Sequence, residues 1–383
     1  MQKFLYIKYG DLTLKGKNRN DFINLLFNNI KMSLSNYKAK IFKSFDSIKI
    51  FYELIYEEQI IQVLKFTPGI LYIIKSLEIL TDINEIAKAA FGYCDNVSSF
   101  KIEVKRKYKN FMEGIEIKKN VAGYILKNTN NLFVDVHNPD ITIWIEIQKD
   151  KSIVYGKKIK GVSGFPVGSN GNCLSLISGG IDSSVSSFLM QKKGMVVDYL
   201  LFITNQVGEK TIQKIINIIS KITLNGKINK SKLFIIDFSD IQGELSHAKD
   251  INYRITLMRR SFYRIAEKIS NIYSYQSLCC GDSLGQVASQ TLESINVINN
   301  VVKSKIIFRP LLTYEKNEII KIASYIDTYD LSIQEHDDIC SIFAPKNPIT
   351  KPNLERTLKN ESSLVLLSGI EELAIKKMKM INL

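Results

Sequence analysis

Four apolar segments separated by helical patterns constrain the fold of this chain more than any other feature. The apolar segments span residues 173–177, 196–202, 233–238 and 274–279, and helical spacing marks residues 183–193, 211–222 and 261–272. A strand that is apolar along its whole length is buried on both faces, and strands that alternate with helices build a parallel sheet covered by those helices. Residues 172–383 are therefore predicted to form one α/β domain around a parallel sheet.

The segment before this domain is typical of a linker. Residues 161–171 contain four Gly and one Pro, a density of breaker residues that marks a connection between domains. Residues 1–57 have a strand–helix–strand pattern, and residues 58–160 alternate short strands with helices. These two stretches are predicted to be separate α+β units.

Charge is the first indication of function. The chain of 383 residues has a formal net charge of +14, and residues 1–170 account for +9 of it, with 26 Lys and Arg against 17 Asp and Glu. Basic domains of this kind often bind phosphate backbones, although a basic surface without a partner is the alternative. No apolar run approaches the roughly 18 residues that a membrane span requires. Five cysteines do not make a disulfide framework and the chain start has no signal-peptide pattern, so we expect a cytoplasmic protein that binds no membrane.

The strongest chemical motif is Ser-Gly-Gly-Ile-Asp-Ser at residues 178–183, between an apolar strand and a helix. Gly179 and Gly180 let the backbone approach a phosphate closely, and the helix N-terminus favours an anion. Ser178 and Ser183 can add hydroxyl donors. The spacing is not that of a Walker loop, because Gly-x-x-x-x-Gly-Lys-Ser/Thr is absent. The alternative is an ordinary strand–helix turn capped by Ser or Asp.

Two charged residues extend this interpretation. Asp182 would repel phosphates unless a cation intervenes, so it is a candidate ligand of Mg²⁺, the alternative being an acid that only favours the helix dipole. Lys316 opens a predicted helix, where a cation runs against the dipole, and this favours a phosphate-facing role. It ends a motif at residues 309–316, and another motif at residues 281–291 follows an apolar strand, where loops line the ligand crevice of a parallel sheet.

Five motifs in order resemble those of the tRNA 4-thiouridine synthetase family, also called tRNA sulfurtransferases. They lie at residues 7–19, 137–146, 178–183, 281–291 and 309–316. The resemblance implies an N-terminal ferredoxin-like α+β unit, a THUMP RNA-binding domain and a C-terminal PP-loop pyrophosphatase domain. It further implies a short form of the family that lacks a C-terminal rhodanese domain.

The same resemblance implies the reaction and its site. Such enzymes use ATP to adenylate uridine 8 of tRNA, and sulfur then arrives as a persulfide that a cysteine desulfurase generates. A role with a sulfur-carrier protein in thiazole synthesis for thiamine is also attributed to the family. The implied ATP contacts are Leu176, Ile177, Ser178, Gly179, Gly180, Asp182, Ser183, Leu201, Phe202, Arg259, Gly281 and Gln290. At Leu201 the family usually has His, so a backbone contact is expected there.

Basic residues near the N-terminus are the candidates for tRNA contact. They belong to the opening motif and to a cluster after residue 100, and they are Lys15, Lys17, Arg19, Lys101, Lys105, Arg106 and Lys107. The sequence leaves the oligomeric state open, a homodimer included.

Cys340 matches the sulfur-carrying cysteine of the family and, with Asp182 and Lys316, completes the candidate catalytic set. Without the resemblance it would be a passive loop thiol. Cys279 and Cys280 lie just before the motif at residue 281, where one could resolve a persulfide or simply pack at a strand end.

Three other functions compete with this interpretation. A PP-loop enzyme that acts on a small molecule needs no basic N-terminal half. A non-catalytic RNA-binding module needs no intact motif at residues 178–183. A 2-thiouridine-type enzyme has its PP-loop near the N-terminus, whereas about 177 residues precede it here.

Overall fold

The computed structural model describes residues 2–10, 12, 16–44, 47–204, 209–223, 230–334 and 343–383. The chain divides into two compact units, residues 1–166 and residues 167–383. The division lies inside the glycine-rich segment at residues 161–171. Within the described part of the chain, no helix has both the length and the apolar character that a membrane crossing requires.

The first unit is built on one mixed sheet. Its eight strands are β1 (Gln2–Tyr9), β2 (Lys40–Lys43), β3 (Ser47–Phe51), β4 (Ile70–Leu80), β5 (Ser99–Arg106), β6 (Phe133–Val134), β7 (Ile141–Ile147) and β8 (Lys151–Lys160), in the order β2-β3-β1-β4-β8-β7-β5-β6. β5 runs parallel to both β6 and β7, and the other neighbours are antiparallel.

Strand alternation divides the apolar residues of this sheet between two faces. On β1, Leu5 and Ile7 belong to a core that also contains residues of two helices, whereas Phe4 and Tyr6 join a cluster made only of strand residues on the other face. The helices that supply the core are α1 (Arg19–Ser33), α2 (Glu57–Lys65), α3 (Ile83–Phe91) and α4 (Gly114–Lys127). Lysines cover the aromatic face, as where the Lys8 ammonium lies 3.9 Å from the Tyr6 ring centre.

The sequence patterns do not predict two elements of this unit, β8 and α4. β8 carries four lysines in ten residues, which weakens its strand signal, and α4 contains two glycines that lower its helix propensity. Both form because their apolar residues complete a core: Val154 of β8 packs with Val121 of α4. Tertiary burial therefore overrides local preference in both places.

The second unit confirms the predicted parallel sheet. Its strands are β9 (Asn172–Leu176), β10 (Val196–Ile203), β11 (Lys232–Asp237), β12 (Ser277–Cys279), β13 (Ile306–Phe308) and β14 (Lys379–Asn382), in the order β13-β12-β9-β10-β11-β14. All neighbours are parallel except β14, which pairs antiparallel with β11. Because β10 and β12 flank β9, the carboxyl ends of these three strands meet at one edge.

Helices cover this sheet. They are α5 (Ile181–Lys192), α6 (Glu209–Ile222), α7 (Ser239–Ser246), α8 (Arg254–Ile272), α9 (Leu292–Asn299), α10 (Lys316–Tyr325), α11 (Tyr329–Ser332), α12 (Leu354–Glu361) and α13 (Leu367–Lys376). α8 begins seven residues before the start that its sequence pattern predicts. The difference matters because the added turns carry Arg259.

Buried ion pairs fasten α8 to the C-terminal helices. Arg260, only 2% exposed, bonds Glu361 of α12 at 2.8 Å, and Arg264 bonds Glu371 of α13 at 2.6 Å. Arg260 also donates to the carbonyl oxygen of Val297 at 2.6 Å. Each buried charge therefore has a partner, and removing one partner would leave the other uncompensated.

The glycine-rich segment at residues 161–171 begins as part of the first unit. The Gly161 amide donates to the Leu71 carbonyl and the Ser163 amide to the Ile70 carbonyl, both at 2.9 Å. A Cβ at Gly161 would lie 2.5 Å from the Ile70 carbonyl oxygen. The chain can leave β8 along β4 only because residue 161 has no side chain.

We expect Gly161→Ala to lower the free energy of unfolding by about 1–3 kcal/mol, the usual cost of forcing an extra group into a packed position. Gly123→Ala is the control, because nothing lies within 4 Å of an added Cβ at Gly123 and Ala favours the helix. Urea unfolding followed by circular dichroism measures both variants. Equal stability of Gly161→Ala and the parent chain would contradict this account of the packing.

Candidate active site

A cavity of about 650 Å³ opens where β9, β10 and β12 end. The sequence-predicted residues that line it are Leu176, Ile177, Ser178, Gly180, Asp182, Ser183, Leu201, Phe202, Arg259, Gly281, Gln290 and Lys316. Gly179 belongs to the same turn but is not among the lining residues. Cys340 and Lys15 lie outside the described residues. Residues more than 130 positions apart in sequence thus converge at one edge of the sheet.

The turn between β9 and α5 is held by its own serines. Gly179 has φ of 78°, a conformation that favours glycine. The Ser183 hydroxyl accepts from the Ser178 amide at 3.3 Å and donates to the Gly180 carbonyl at 3.1 Å. The Gly180 amide in turn donates to the Ser178 hydroxyl at 3.4 Å. Both hydroxyls therefore shape the turn at the N-terminus of α5, where an anion is favoured.

Asp182 joins three separate segments of the chain. Its Oδ1 accepts from Lys316 Nζ at 2.6 Å, and its Oδ2 accepts from Gln286 Nε2 at 2.9 Å. The Asp182 side chain is 21% exposed and that of Lys316 is 45% exposed, so both remain accessible from the cavity. A carboxylate and an ammonium group thus lie together beside the turn, and the sequence does not identify Gln286 as the second donor to Asp182.

Few carboxylates are available in this cavity to bind Mg²⁺. Among the described residues that line the cavity, the acids are Asp182 and Asp282. Asp282 is held by arginines, and no group of three or more His, Cys, Asp or Glu in the described part of the chain is arranged to hold a metal. One accessible carboxylate fits an ion that takes one or two carboxylates and completes its shell with phosphate oxygens and water.

Gly281 lets the loop after β12 touch the first turn of α5. A Cβ at this position would lie 2.7 Å from the Asp182 carbonyl carbon and 2.8 Å from the Ser183 amide nitrogen. Both atoms belong to backbone, which cannot swing aside as a side chain can. Glycine is therefore required here to keep the loop at residues 281–291 against the turn at residues 178–183.

The motif at residues 281–291 contains a buried acid, Asp282. Asp282 accepts from Arg259 Nη2 at 2.6 Å and from Arg309 Nε at 3.1 Å. Burial alone would raise the pKa of Asp282, but the two guanidinium groups outweigh it and lower that pKa to about 2. Its place directly after an apolar strand is the sequence signal that could have identified it.

Part of the cavity wall is aromatic. Phe202 stacks on Phe262 with ring centres 4.1 Å apart, and Phe238 meets Phe262 edge to face at 4.7 Å. Phe202 and Phe262 both line the cavity. The buried Leu201 precedes Phe202 near the end of β10. This wall suits a flat apolar group such as a nucleobase.

The candidate basic residues of the first unit are partly paired with acids. Lys101 bonds Glu103 at 2.9 Å, Lys107 bonds Glu146 at 3.1 Å, and Arg106 bonds Glu113. Two further members, Lys17 and Lys105, are exposed, whereas Arg19 is half-buried. The cluster therefore offers less free positive charge than its sequence suggests.

The four cysteines of the described residues are buried and form no disulfide. The Cys280 thiol lines the cavity and donates to Asp282 Oδ2 at 3.2 Å. Burial raises the pKa of the Cys279 and Cys280 thiols far above the ordinary value, and the Asp282 charge raises that of Cys280 further. A thiol that stays protonated is a poor nucleophile, so strand-end packing is the better account of this pair.

We expect iodoacetamide at pH 8 to leave Cys279 and Cys280 unmodified in the folded protein, because neither thiol reaches the thiolate form. Peptide mass spectrometry after limited alkylation measures this. The same reagent on the urea-unfolded chain should label both and serves as the control. Rapid labelling of Cys280 in the folded protein would instead identify a reactive thiol in the cavity.

Three family models match the chain. The Thiamine biosynthesis protein (ThiI) model matches residues 168–366, the ThiI ferredoxin-like domain model residues 4–73 and the THUMP domain model residues 78–156. The fold class that the sequence motifs imply is thereby confirmed, from the ferredoxin-like unit through the THUMP domain to the PP-loop domain.

Full-length relatives and a solved structure agree with these models. A probable tRNA sulfurtransferase of Malacoplasma penetrans (strain HF-2) is 53% identical over 100% of both chains, and one of Ureaplasma urealyticum serovar 10 is 44% identical over 98% of this chain and 97% of that protein. The crystal structure of a 4-thiouridine synthetase–RNA complex with bound ATP superposes with a TM-score of 0.90 at 30% identity, over 100% of both chains. PH1313 from Pyrococcus horikoshii Ot3 shares the fold, with a TM-score of 0.64 at 21% identity over 85% of this chain and 100% of that one. With a cavity built from the family's motifs and a relative of 53% identity along its whole length, this chain belongs to the tRNA sulfurtransferase family, whose enzymes transfer sulfur to tRNA.

Proposed function

We propose that this enzyme uses ATP to adenylate uridine 8 of tRNA and then replaces the activated oxygen with sulfur, which yields 4-thiouridine. The observation that carries the proposal is the meeting of Asp182, Lys316 and the turn at residues 178–183 in one cavity. A full-length similar protein is a 4-thiouridine synthetase with bound RNA and ATP, which supports the choice of substrates.

Charged and aromatic residues both line the cavity, and their places on different elements support one orientation of ATP. The phosphates would bind at the turn before α5, where backbone amides and the helix dipole favour anions. The adenine would lie near Leu201 and Phe202 at the end of β10. Arg259 lines the same cavity and would add a cation for the phosphates.

Mg²⁺ would be held by Asp182 together with phosphate oxygens of ATP. A bound Mg²⁺ offsets negative charge on the phosphates and so favours departure of pyrophosphate. Lys316 donates to Asp182 at 2.6 Å, so its ammonium would lie close to phosphates bound at the same turn. The uridine carbonyl oxygen would attack the α-phosphorus, and sulfur would later replace the resulting AMP group at carbon.

The second half-reaction needs a nucleophilic sulfur. Cys340 is the candidate carrier, as a persulfide supplied by a cysteine desulfurase. The outer sulfur would attack the activated carbon and AMP would leave. A second thiol, from an external reductant, would then reduce the disulfide between Cys340 and the nucleoside, which releases the thiouridine and the Cys340 thiol. The burial and raised pKa of Cys279 and Cys280 support a role for a different cysteine. Transfer of sulfur to a carrier protein for thiamine thiazole synthesis is a second proposed use of the same thiol, in keeping with the description of the matching family model.

The net charge of +9 on residues 1–170 supports tRNA binding by the THUMP-containing unit. Of the candidate basic residues in this unit, the exposed Lys17 and Lys105 are the first candidates for contact with tRNA phosphates. A PP-loop enzyme acting on another RNA or on a small molecule is the alternative, and the requirement for tRNA in pyrophosphate release separates the two.

We expect Asp182→Asn to reduce tRNA-dependent release of pyrophosphate from ATP by at least about a hundredfold while tRNA binding is retained, since loss of a charged transition-state contact costs roughly 2.7–4 kcal/mol. Asp240→Asn is the matched control, because Asp240 is also the second residue of a helix but is exposed and does not line the cavity. A coupled pyrophosphate assay and a gel-shift assay give the two readouts. If the two variants release pyrophosphate at the same rate, Asp182 acts only through the helix dipole.

We expect Cys340→Ser to form the adenylated tRNA but to make no 4-thiouridine when a cysteine desulfurase is the donor, because adenylation needs no thiol. Nucleoside mass spectrometry measures the product, and pyrophosphate release measures the first step. Free sulfide at high concentration should partly restore the product, since it needs no carrier. Cys280→Ser is the control and should retain most activity. Normal thiolation by Cys340→Ser would remove this residue from the mechanism.

A further inference from the structure

A buried cluster of two cations and one acid borders the cavity, and Arg259 and Asp282 are among the lining residues. The Asp282 side chain is 5% exposed, and it bonds Arg259 through Oδ1 at 2.6 Å and Arg309 through Oδ2 at 3.1 Å. The Tyr263 hydroxyl and the Cys280 thiol also donate to Oδ2, at 3.4 and 3.2 Å. One carboxylate is thus surrounded by donors on both oxygens.

The two arginines of this cluster occupy different positions. Arg259 lines the cavity, whereas Arg309 does not, and its side chain is 9% exposed. Arg309 donates to Asn299 Oδ1 at 2.6 Å and lies 5.8 Å from the centre of the Tyr263 ring. Arg309 is therefore fixed behind the wall, and Arg259 lies on its surface.

The charges of the cluster do not cancel. A single Asp–Arg pair would be neutral, and Arg259 would then add little attraction for an anion in the cavity. With Arg309 as a second cation, the trio has a net charge of +1. The pKa of Asp282, lowered to about 2, keeps the carboxylate ionised at any physiological pH, so this balance is constant.

We propose that Asp282 and Arg309 are positioning residues for the nucleotide: Asp282 fixes the Arg259 guanidinium at the cavity wall, and Arg309 leaves that wall with a positive charge for the phosphates. This inference rests on the proposed use of ATP. It assigns a role in nucleotide binding to Arg309, a residue that does not line the cavity. It also explains why a buried acid lies at a site for an anion.

The test compares four variants for binding of ATP and of adenosine by calorimetry. Arg309→Gln keeps a hydrogen-bonding side chain but removes the charge, Arg309→Lys keeps the charge, Asp282→Asn removes the acid, and Arg356→Gln is the control on the exposed first turn of α12. Melting temperature is measured for each variant, so that a loss of affinity is read only in protein that remains folded.

We expect Arg309→Gln and Asp282→Asn to weaken ATP binding by about tenfold or more, since both would weaken the charge-assisted contact between Arg259 and the phosphates, such a contact is worth roughly 1.5–3 kcal/mol, and 1.4 kcal/mol is tenfold in affinity. Adenosine binding should not change, because adenosine has no phosphate. Arg309→Lys and Arg356→Gln should bind ATP as the parent chain does. Arg309→Gln should also show a smaller salt dependence of ATP affinity, which a purely structural role would not produce.

Three outcomes would overturn the proposal. The first is unchanged ATP affinity in folded Arg309→Gln, and the second is an equal loss of ATP and adenosine affinity. The third is tighter ATP binding by Asp282→Asn, which would mean that the acid only repels the phosphates. Failure of the proposed function is a different result, because the parent chain would then bind no ATP at all.

Discussion

The close approach of Gly281 to the first turn of α5 is the constraint on which the rest of the site depends. The loop after β12 and the turn after β9 belong to adjacent parallel strands, and their backbones touch where a Cβ would lie 2.7 Å from a carbonyl carbon. This contact brings Gln286 Nε2 within 2.9 Å of Asp182 Oδ2. A side chain at residue 281 would separate the two loops that supply the charged half of the cavity.

Charge in both units follows one physical pattern. In the second unit Asp282 lies between Arg259 and Arg309. In the first unit Glu78 lies between Lys49 and Lys151 at 2.9 and 3.0 Å, with its side chain 12% exposed. An acid between two cations holds both of them in place by charge-assisted hydrogen bonds and still leaves a net charge of +1. Ordered positive charge of this kind suits a protein whose proposed ligands are ATP and tRNA.

The position of the cavity depends on the parallel sheet and on α8, and not on elements with weak sequence propensity such as β8 and α4. The cavity lies at the carboxyl ends of β9, β10 and β12, a position set by the parallel sheet itself. The helix α8 supplies Arg259 to the cavity, and its next residue, Arg260, anchors α8 to α12. Buried ion pairs on one face of α8 therefore support the position of the residue on the other.

The sequence by itself determined the parallel sheet and the glycine-rich turn before α5, because apolar strands buried on both faces and a glycine-rich turn before a helix are local patterns. The order of the motifs and their resemblance to those of one family predicted that Asp182, Lys316 and Gly281 belong to one site. The sequence did not determine β8, α4 or the early start of α8, where burial outweighed weak local propensity. Only the tertiary structure decided that Gln286 and Lys316 share Asp182, that Asp282 is ionised between two arginines, and that Cys280 is a protonated thiol at its side. Those properties depend on distances between segments that are far apart in the chain, and on the loss of water around them, neither of which a pattern of neighbouring residues contains.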